Sequence, residues 1–194
     1  MSSDDIKQKI ILTAIGCIEK EGIQGVTIRK IADMSGVNVA AINYHFGSKE
    51  QLLNIVMNAT LDESFVQNIK DYEEMWKSDT KTAFRLFLQD TLEGAINYPN
   101  LTKAHFDGAF NKNDFDSNSV HRLNNFLGEL HGIVRSELKQ EDDLKSRIAV
   151  SQLFSSILML GMMPDLFNKF LNFDLKDKEN QKKFIQILLE NFCK

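Results

Sequence analysis

The sequence has 194 residues, which is long enough to bury a substantial core in one large domain or in a small domain joined to a larger one. A hydrophobic content of 43% and a charged content of 26% are typical of a soluble globular protein and exclude a low-complexity chain. The net charge is −4, and residues 1–50 hold six basic and six acidic side chains, which excludes a broad basic field.

The start of the chain is acidic and lacks the basic region of a signal peptide. The longest apolar run, near Leu153 to Met163, is interrupted by two serines and a glycine and is too short to span a bilayer. Cys17 lies among isoleucine and alanine residues, which indicates a small buried side chain, with a redox sensor as the alternative. We expect a cytoplasmic protein with no membrane partner.

Near the N-terminus, apolar residues with helical period predict a first helix from about Ser3 to Lys20, ended by Gly22. The stretch that follows predicts two short helices joined by a tight turn. Thr27 caps the first of them with its hydroxyl, Gly36 supplies the positive φ of the turn, and Asn38 caps the second. Three helices arranged in this way form a helix-turn-helix domain, which points to DNA.

The second short helix, predicted from Val39 to Phe46, has two different faces. Ile42 and Phe46 are spaced at i and i+4 and face inward. The opposite face is small, polar and aromatic, which suits a major groove because an asparagine amide can pair with adenine and methyl groups can meet the thymine methyl. Ser48 then caps a fourth helix that continues to about Ile69, with Gln51 completing a capping box.

These residues carry a family resemblance. The pattern T-x-R-x-I-A, followed by S-G-V-N and then I-N-Y-H-F-G-S-K-E-Q-L, resembles the DNA-binding end of the TetR family of bacterial repressors. The positions that match its signature are Tyr44, His45, Phe46, Lys49 and Leu52. The resemblance covers roughly the first quarter of the chain. In two respects the sequence departs from the family: Asn38 stands where Ser or Thr is commoner, and the arm from Ser2 to Asp5 is acidic, so a basic minor-groove arm is not supported.

Eight residues are predicted to contact DNA. Thr27 and Lys49 stand at helix starts and are placed to meet phosphates. The resemblance implies phosphate contacts for Tyr44 and His45, and packing against the fourth helix is the alternative for both. Val39, Ala40 and Asn43 are predicted to read base edges. Arg29 reaches in with them from the preceding helix. The full set is Thr27, Arg29, Val39, Ala40, Asn43, Tyr44, His45 and Lys49.

The rest of the chain has helical periodicity and no strand pattern. We predict helices from Thr80 to Tyr98-Pro99, briefly from Pro99, from Val120 to Leu138, from Glu141–Asp143 to a stop or kink at Pro164, and over the last residues to Phe192, with a loop from Asn111 to Ser119. The predicted fold is all-α. It comprises an N-terminal three-helix helix-turn-helix domain over residues 1–48 and a larger helical ligand-binding and dimerisation domain over residues 49–194.

The last two long helices are apolar on more than one side, which a monomer's outermost helices should not be. In the family the corresponding helices form a four-helix bundle across a two-fold axis, so the resemblance implies a homodimer. Two recognition helices about 34–36 Å apart would then read a palindromic operator in double-stranded DNA. The alternative is that both helices lie in the core. The predicted interface residues are Ser151, Phe154, Leu158, Gly161, Ile185, Leu188, Leu189 and Phe192.

The resemblance also implies a pocket for a small-molecule effector among the middle helices, whose filling changes the separation of the recognition helices. Sparse buried cations predict a largely apolar effector of unknown identity. Core packing is the alternative for each candidate residue. The candidates are Trp76, Phe84, Tyr98, His105, Phe106, His121, Phe126 and Met159.

No cofactor or metal ion is predicted. His121 and His131 lie ten residues apart on one predicted helix, about 15 Å at a rise of 1.5 Å per residue, so they cannot share a metal ion. The sequence shows no nucleophile and base pair, paired carboxylates or phosphate loop, so we expect a protein that is not an enzyme. An all-helical enzyme and a protein-interaction module remain the alternatives to a ligand-responsive, DNA-binding transcriptional repressor.

Overall fold

A computed structural model describes residues 2–63, 71–137 and 142–192. All the regular secondary structure in these residues is helical, with one short 3-10 helix at Ile23–Gly25, and there is no strand, as the sequence predicts. The α-helices are α1 (Ser3–Glu21), α2 (Ile28–Ser35), α3 (Val39–Phe46), α4 (Lys49–Leu61), α5 (Glu73–Ser78), α6 (Thr80–Asn97), α7 (Pro99–His105), α8 (Asp107–Lys112), α9 (Asn118–Glu137), α10 (Asp143–Met162), α11 (Pro164–Leu171) and α12 (Lys178–Phe192).

The helices group into two compact units. The first unit comprises Met1–Asp62 and Asn100–Ser119, and the second comprises Glu63–Pro99 and Val120–Lys194. The first unit therefore extends past the boundary predicted after residue 48. It does so because α4 packs on α1 and α3, and because Leu101 and Ala104 of α7 add side chains to its core.

The core of the first unit is formed by the inner faces of α1 to α4. Its fully buried residues include Ile10, Ile18, Ile31 and Ile42. Cys17 is 1% exposed, so the prediction of a buried side chain is confirmed, and burial raises the pKa of its thiol. A thiol that stays protonated is a poor nucleophile, which favours a packing role over a redox role.

The core of the second unit surrounds α6, which packs against α5, α10 and α12. Phe87, Leu88 and Leu92 of α6 are completely buried there. The aromatic rings of Phe87, Phe126 and Phe154 follow one another at centroid distances of 5.7 and 5.3 Å. Aromatic pairs at such distances stabilise a core beyond the area that they bury.

Several helix ends differ from the sequence predictions. Pro164 ends one helix, as expected, but it also begins α11, because the fixed φ of proline suits the first helical position. The short helices α5 and α8 were not predicted, and α8 shortens the polar loop before α9. Some predictions lie outside the described residues: those that name Leu138, Glu141 and Cys193. The predicted extension of the fourth helix to Ile69 also lies mostly outside them.

No single helix in the described ranges has the length and hydropathy needed to cross a membrane. Within that part of the chain, α10 and α11 taken together reach the required length and composition, but the chain bends by 102° between them.

Candidate nucleic-acid interface and ligand cavity

The turn between α2 and α3 has the backbone chemistry that its sequence predicts. Thr27 Oγ1 accepts the backbone N–H of Lys30 at 3.2 Å, and Asn38 Oδ1 accepts that of Ala41 at 2.7 Å. Gly36, between the two helices, has a φ of 66°, which lies in the left-handed region that favours glycine. Because both caps act within three residues, the two helix starts are determined locally.

Helix α3 buries one face and exposes the other. Ile42 is 0% exposed and Phe46 is 6% exposed, so both hold the helix to the core of the first unit. On the outer face, the side chains of Val39, Ala40 and Asn43 are exposed. That face offers an amide with donors and an acceptor, and small apolar groups that permit close approach.

Tyr44 and His45 follow on the same helix. The Tyr44 side chain is 85% exposed, while that of His45 is half-buried. Their rings meet edge to face with centroids 5.2 Å apart, and the His45 ring also lies 6.4 Å from the ring of Phe46. The three rings thus contact one another in sequence along α3, from the buried Phe46 to the exposed Tyr44.

The start of α4 supplies a second helix N-terminus. Ser48 and Gln51 form a capping box in which each side chain accepts the other's backbone N–H at 3.2 Å, as the sequence predicts. Gly47, with a φ of 76°, leads into the box, and a Cβ at this position would meet the Gln51 side chain at 2.0 Å. Lys49 stands in the first turn, where the helix dipole attracts anions.

The cations near the turn are not equivalent. Lys30 forms an ion pair with Glu21 and also donates to the carbonyl oxygen of Gly25, so its charge is already used within the chain. Arg29 and Lys49 take part in no ion pair with any residue that the structure describes. They are therefore the cations of this motif that remain available for contact with DNA. All eight predicted DNA contacts are exposed or half-buried, and their roles stay predictions.

A polar contact that the sequence did not predict holds α7 to α1 within the first unit. The Glu19 carboxylate accepts the backbone N–H groups of Asn100 and Leu101 at 3.1 and 3.0 Å, and the Asn100 side chain donates to the Glu19 carbonyl at 2.8 Å. Gln24 also donates to both carboxylate oxygens of Asp107. These pairs are more than 80 residues apart in sequence, so no local pattern indicates them.

His105, at the end of α7, contacts α4. Its Nε2 lies 3.2 Å from the hydroxyl of Thr60, and its buried Nδ1 has no hydrogen-bond partner. Burial lowers the pKa of His105 to about 4, so the imidazole is neutral at physiological pH. Thr60 also donates back to carbonyl oxygens of its own helix, which fixes the hydroxyl that the imidazole meets.

The eight predicted ligand residues are distributed over both units. His105 and Phe106 belong to the first unit, and the other six belong to the second. Trp76 and Phe126 pack with Phe87 in the core of the second unit, with Trp76 at its edge. Tyr98, His121 and Met159 have exposed side chains. Phe84 alone of the eight lines the cavity described next, and the ligand set as a whole stays a prediction.

The second unit contains a cavity of about 830 Å³, within the size range of small-molecule sites. It lies at the N-terminal end of α6, beside the last turns of α9 and α12. The residues that line it are Asp79, Thr80, Lys81, Thr82, Phe84, Arg85, Ile133, Val134, Gln186, Leu189 and Glu190. The lining combines four apolar side chains with two cations and two carboxylates.

The predicted dimer residues fall into two groups. Phe154 and Ile185 are 3% and 0% exposed, so they serve the core of the second unit. Gly161 is buried against Ala95, whose Cβ would lie 2.5 Å from a Cβ added to the glycine. Ser151 is exposed, and Leu158, Leu188 and Leu189 are half-buried. The side chain of Phe192 lies outside the described residues, and the interface itself stays a prediction.

The first unit contains the segment of the chain that is similar to a known protein family. Residues 10–56 match the model of the family described as bacterial regulatory proteins, tetR family. The tetracycline repressor protein class A from transposon 1721 of Escherichia coli is 30% identical over 69 residues, 36% of this chain and 32% of that protein. The match thus spans about a third of this curated relative.

Solved structures share the fold over nearly the whole chain. A protein from Mesorhizobium loti MAFF303099 assigned to the TetR-family transcriptional regulators has a TM-score of 0.71 at 15% identity, covering 99% of this chain and 96% of that one. FadR from Bacillus subtilis, in complex with stearoyl-CoA, has a TM-score of 0.65 at 19% identity, covering 93% and 96%. An N-terminal helix-turn-helix followed by a helical unit is the arrangement that they share with this chain.

Proposed function

Because the chain belongs to the TetR family of bacterial regulatory proteins and carries its helix-turn-helix, we propose that it is a ligand-responsive transcriptional repressor that binds a palindromic operator as a homodimer. The observation that carries the proposal is the exposed outer face of α3. Asn43 and Tyr44 are presented there while Ile42 and Phe46 hold the helix from behind.

The chemistry of each side chain in the helix-turn-helix decides whether we propose a phosphate contact or a base contact for it. The Thr27 hydroxyl accepts a backbone N–H as a cap and keeps its own proton free to donate to a phosphate oxygen. Lys49 supplies positive charge for a phosphate at a helix N-terminus, and Arg29 reaches toward the bases from the preceding helix. Asn43, with Val39 and Ala40, reads base edges in the major groove. One copy of this motif has few cations, so a second copy is needed for useful affinity.

An exposed stripe on α10 supports the homodimer. Leu144, Ile148 and Met159 are 66%, 49% and 42% exposed, and exposed serines lie on the same face between them. The opposite face of α10, with Leu153 and Ile157, is buried in the second unit. A helix that is apolar on its outer face as well needs a partner surface, and we propose that the same stripe of a second copy covers it.

The direct test is binding to duplex DNA from the protein's own promoter at several salt concentrations. We expect sequence-specific binding whose affinity falls about a hundredfold between 50 and 200 mM salt, because the few cations of two copies neutralise phosphate charge and release counterions. A scrambled duplex of equal length is the control. A flat salt response, or no binding to any promoter duplex, contradicts the proposal and favours a helix-turn-helix that docks onto another protein.

A further inference from the structure

The cavity of the second unit has an apolar interior and a polar end. Phe84, Ile133, Val134 and Leu189 supply the apolar walls, and Phe84 and Val134 are almost completely buried. Most polar side chains of the lining come from the N-terminal end of α6, where the Asp79 carboxylate caps the helix and offsets the partial positive charge of its N-terminus. An occupant that contacts both kinds of side chain is amphipathic.

The carboxylates of the lining already have partners. Asp79 is the N-cap of α6 and accepts the backbone N–H of Thr82 at 3.1 Å. Glu190 accepts the side-chain amide of Gln186 at 2.9 Å on its own helix. The hydroxyl of Thr80 donates to the carbonyl oxygen of Trp76 at 2.6 Å. Each carboxylate of the lining thus has a hydrogen bond within the chain, and the hydroxyl proton of Thr80 is also used there.

The cations of the lining use few of their N–H donors among the described residues. A guanidinium has five N–H groups, yet Arg85 has one hydrogen bond in the part of the chain described, to Gln89 Oε1 at 3.2 Å. That bond uses Oε1 of the Gln89 amide, and Nε2 of the same amide is buried without a hydrogen-bond partner among the described residues. Lys81 forms no ion pair with a described residue. Arg85 and Lys81 both line the cavity, and Arg85 is half-buried. Hydrogen bonds from Thr82 lower the pKa of the Asp79 carboxyl, and the charges of these two cations help to lower it further.

We propose that this cavity binds an amphipathic carboxylate, with its apolar tail against Phe84, Ile133, Val134 and Leu189 and its head group on Arg85. Lys81, which lines the same cavity, adds a second positive charge for the head. A carboxylate matches the fork of the guanidinium with two parallel hydrogen bonds, whereas an alcohol provides one weak acceptor and a cation is repelled. The proposal deepens the ligand response proposed above, since it names the class of effector.

The chain contains its own reporter. Trp76 is the one tryptophan of the sequence, and the centroid of its ring lies 6.3 Å from the ring centroid of Phe84. Dodecanoate, dodecanol and dodecyltrimethylammonium, each below its critical micelle concentration, are titrated into the full chain without DNA. Binding is followed by the fluorescence of the indole and by calorimetry. Because the assay contains no DNA, its result does not depend on whether the operator proposal is correct.

We expect dodecanoate to bind more tightly than either of the other two amphiphiles. Arg85→Met should weaken dodecanoate binding about tenfold or more and leave dodecanol unchanged, since only the charged hydrogen bonds are lost. Lys182→Met is the matched control, because this exposed lysine is paired with Glu179 outside the cavity.

Ile133→Phe provides a second variant that does not touch the polar end. By filling the cavity it should weaken both dodecanoate and dodecanol, and circular dichroism verifies that each variant keeps its helices. The proposal is overturned if dodecanoate does not bind, if dodecyltrimethylammonium binds equally well, or if Arg85→Met leaves the dodecanoate affinity unchanged.

Discussion

The Glu19 carboxylate of α1 caps the first turn of α7 by accepting the backbone N–H groups of Asn100 and Leu101. The first N–H groups of a helix have no acceptor inside it, so this side chain fills the role of an N-cap from 81 residues away. Because α6, which ends at Asn97, belongs to the second unit and α7 to the first, the chain passes here from one unit into the other.

Glu19→Ala should therefore loosen α7. We expect the free energy of unfolding to fall by about 1–2 kcal/mol, the usual cost of losing a cap, and hydrogen exchange at the amides of Asn100 and Leu101 to accelerate. Glu19→Gln retains an acceptor oxygen and should cost less, while Lys20→Ala, next to it and exposed, is the control. Unchanged amide protection in Glu19→Ala would show that the cap contributes nothing.

His105 should make stability depend on pH. Its folded pKa of about 4 lies below the ordinary 6.5, so between these values the unfolded chain binds more protons than the folded one. The free energy of unfolding should therefore be unaffected by this group above pH 6.5 and fall by on the order of 3 kcal/mol as the pH decreases to 4. Denaturant titrations across this range measure the slope.

His105→Gln removes the titrating group and should reduce that slope, whereas His121→Gln, at an exposed position, should not. Carboxylates also titrate in this range, so the comparison is made between variants. Equal slopes for the wild type and His105→Gln would contradict the buried, neutral imidazole.

The helix-turn-helix offers a paired test of phosphate and base contacts. Lys49→Ala should weaken binding to all duplexes about equally, because a phosphate contact carries no sequence information. Asn43→Ala should cost about 1–3 kcal/mol on the cognate site and relax preference at one position. Competition assays with single-base operator variants separate the two. A changed sequence preference in Lys49→Ala would refute this assignment.

Gly161 and Ala95 test how tightly α10 packs on α6. A Cβ at Gly161 would lie 2.5 Å from the Ala95 Cβ, so Gly161→Ala should destabilise the second unit by about 1–3 kcal/mol through overpacking. Adding Ala95→Gly removes the clash and should recover much of the loss, less about 1 kcal/mol for glycine within a helix. Thermal unfolding of the single and double variants is the measurement. Additive losses would show that the two positions do not interact.

Ile148 tests the proposed dimer. Ile148→Glu places charge within the exposed stripe of α10, where two copies would bring like charges together, and should convert the dimer to a monomer that loses operator binding. Asn125→Glu, exposed on α9, is the control for added charge. Analytical ultracentrifugation reads the mass. A dimer that persists in Ile148→Glu would place the interface elsewhere.

The sequence by itself determined the helix-turn-helix and its surroundings. The N-caps Thr27, Asn38 and Ser48 accept N–H groups three residues away. Gly36 adopts a positive φ that favours glycine. Each of these features therefore depends only on residues that are close in sequence. Periodicity likewise separated Ile42 and Phe46 from the outer face of α3, because i and i+4 must share a side of any helix.

Only the tertiary structure decided what covers each apolar face. Periodicity predicts that Phe154 and Ile148 lie on different sides of α10, but not that α6 and its neighbours bury the first while the second remains exposed. In the same way it could not assign His105 to the DNA-binding unit or place Glu19 under α7. Both depend on contacts between residues 45 to 82 positions apart, for which local sequence carries no signal.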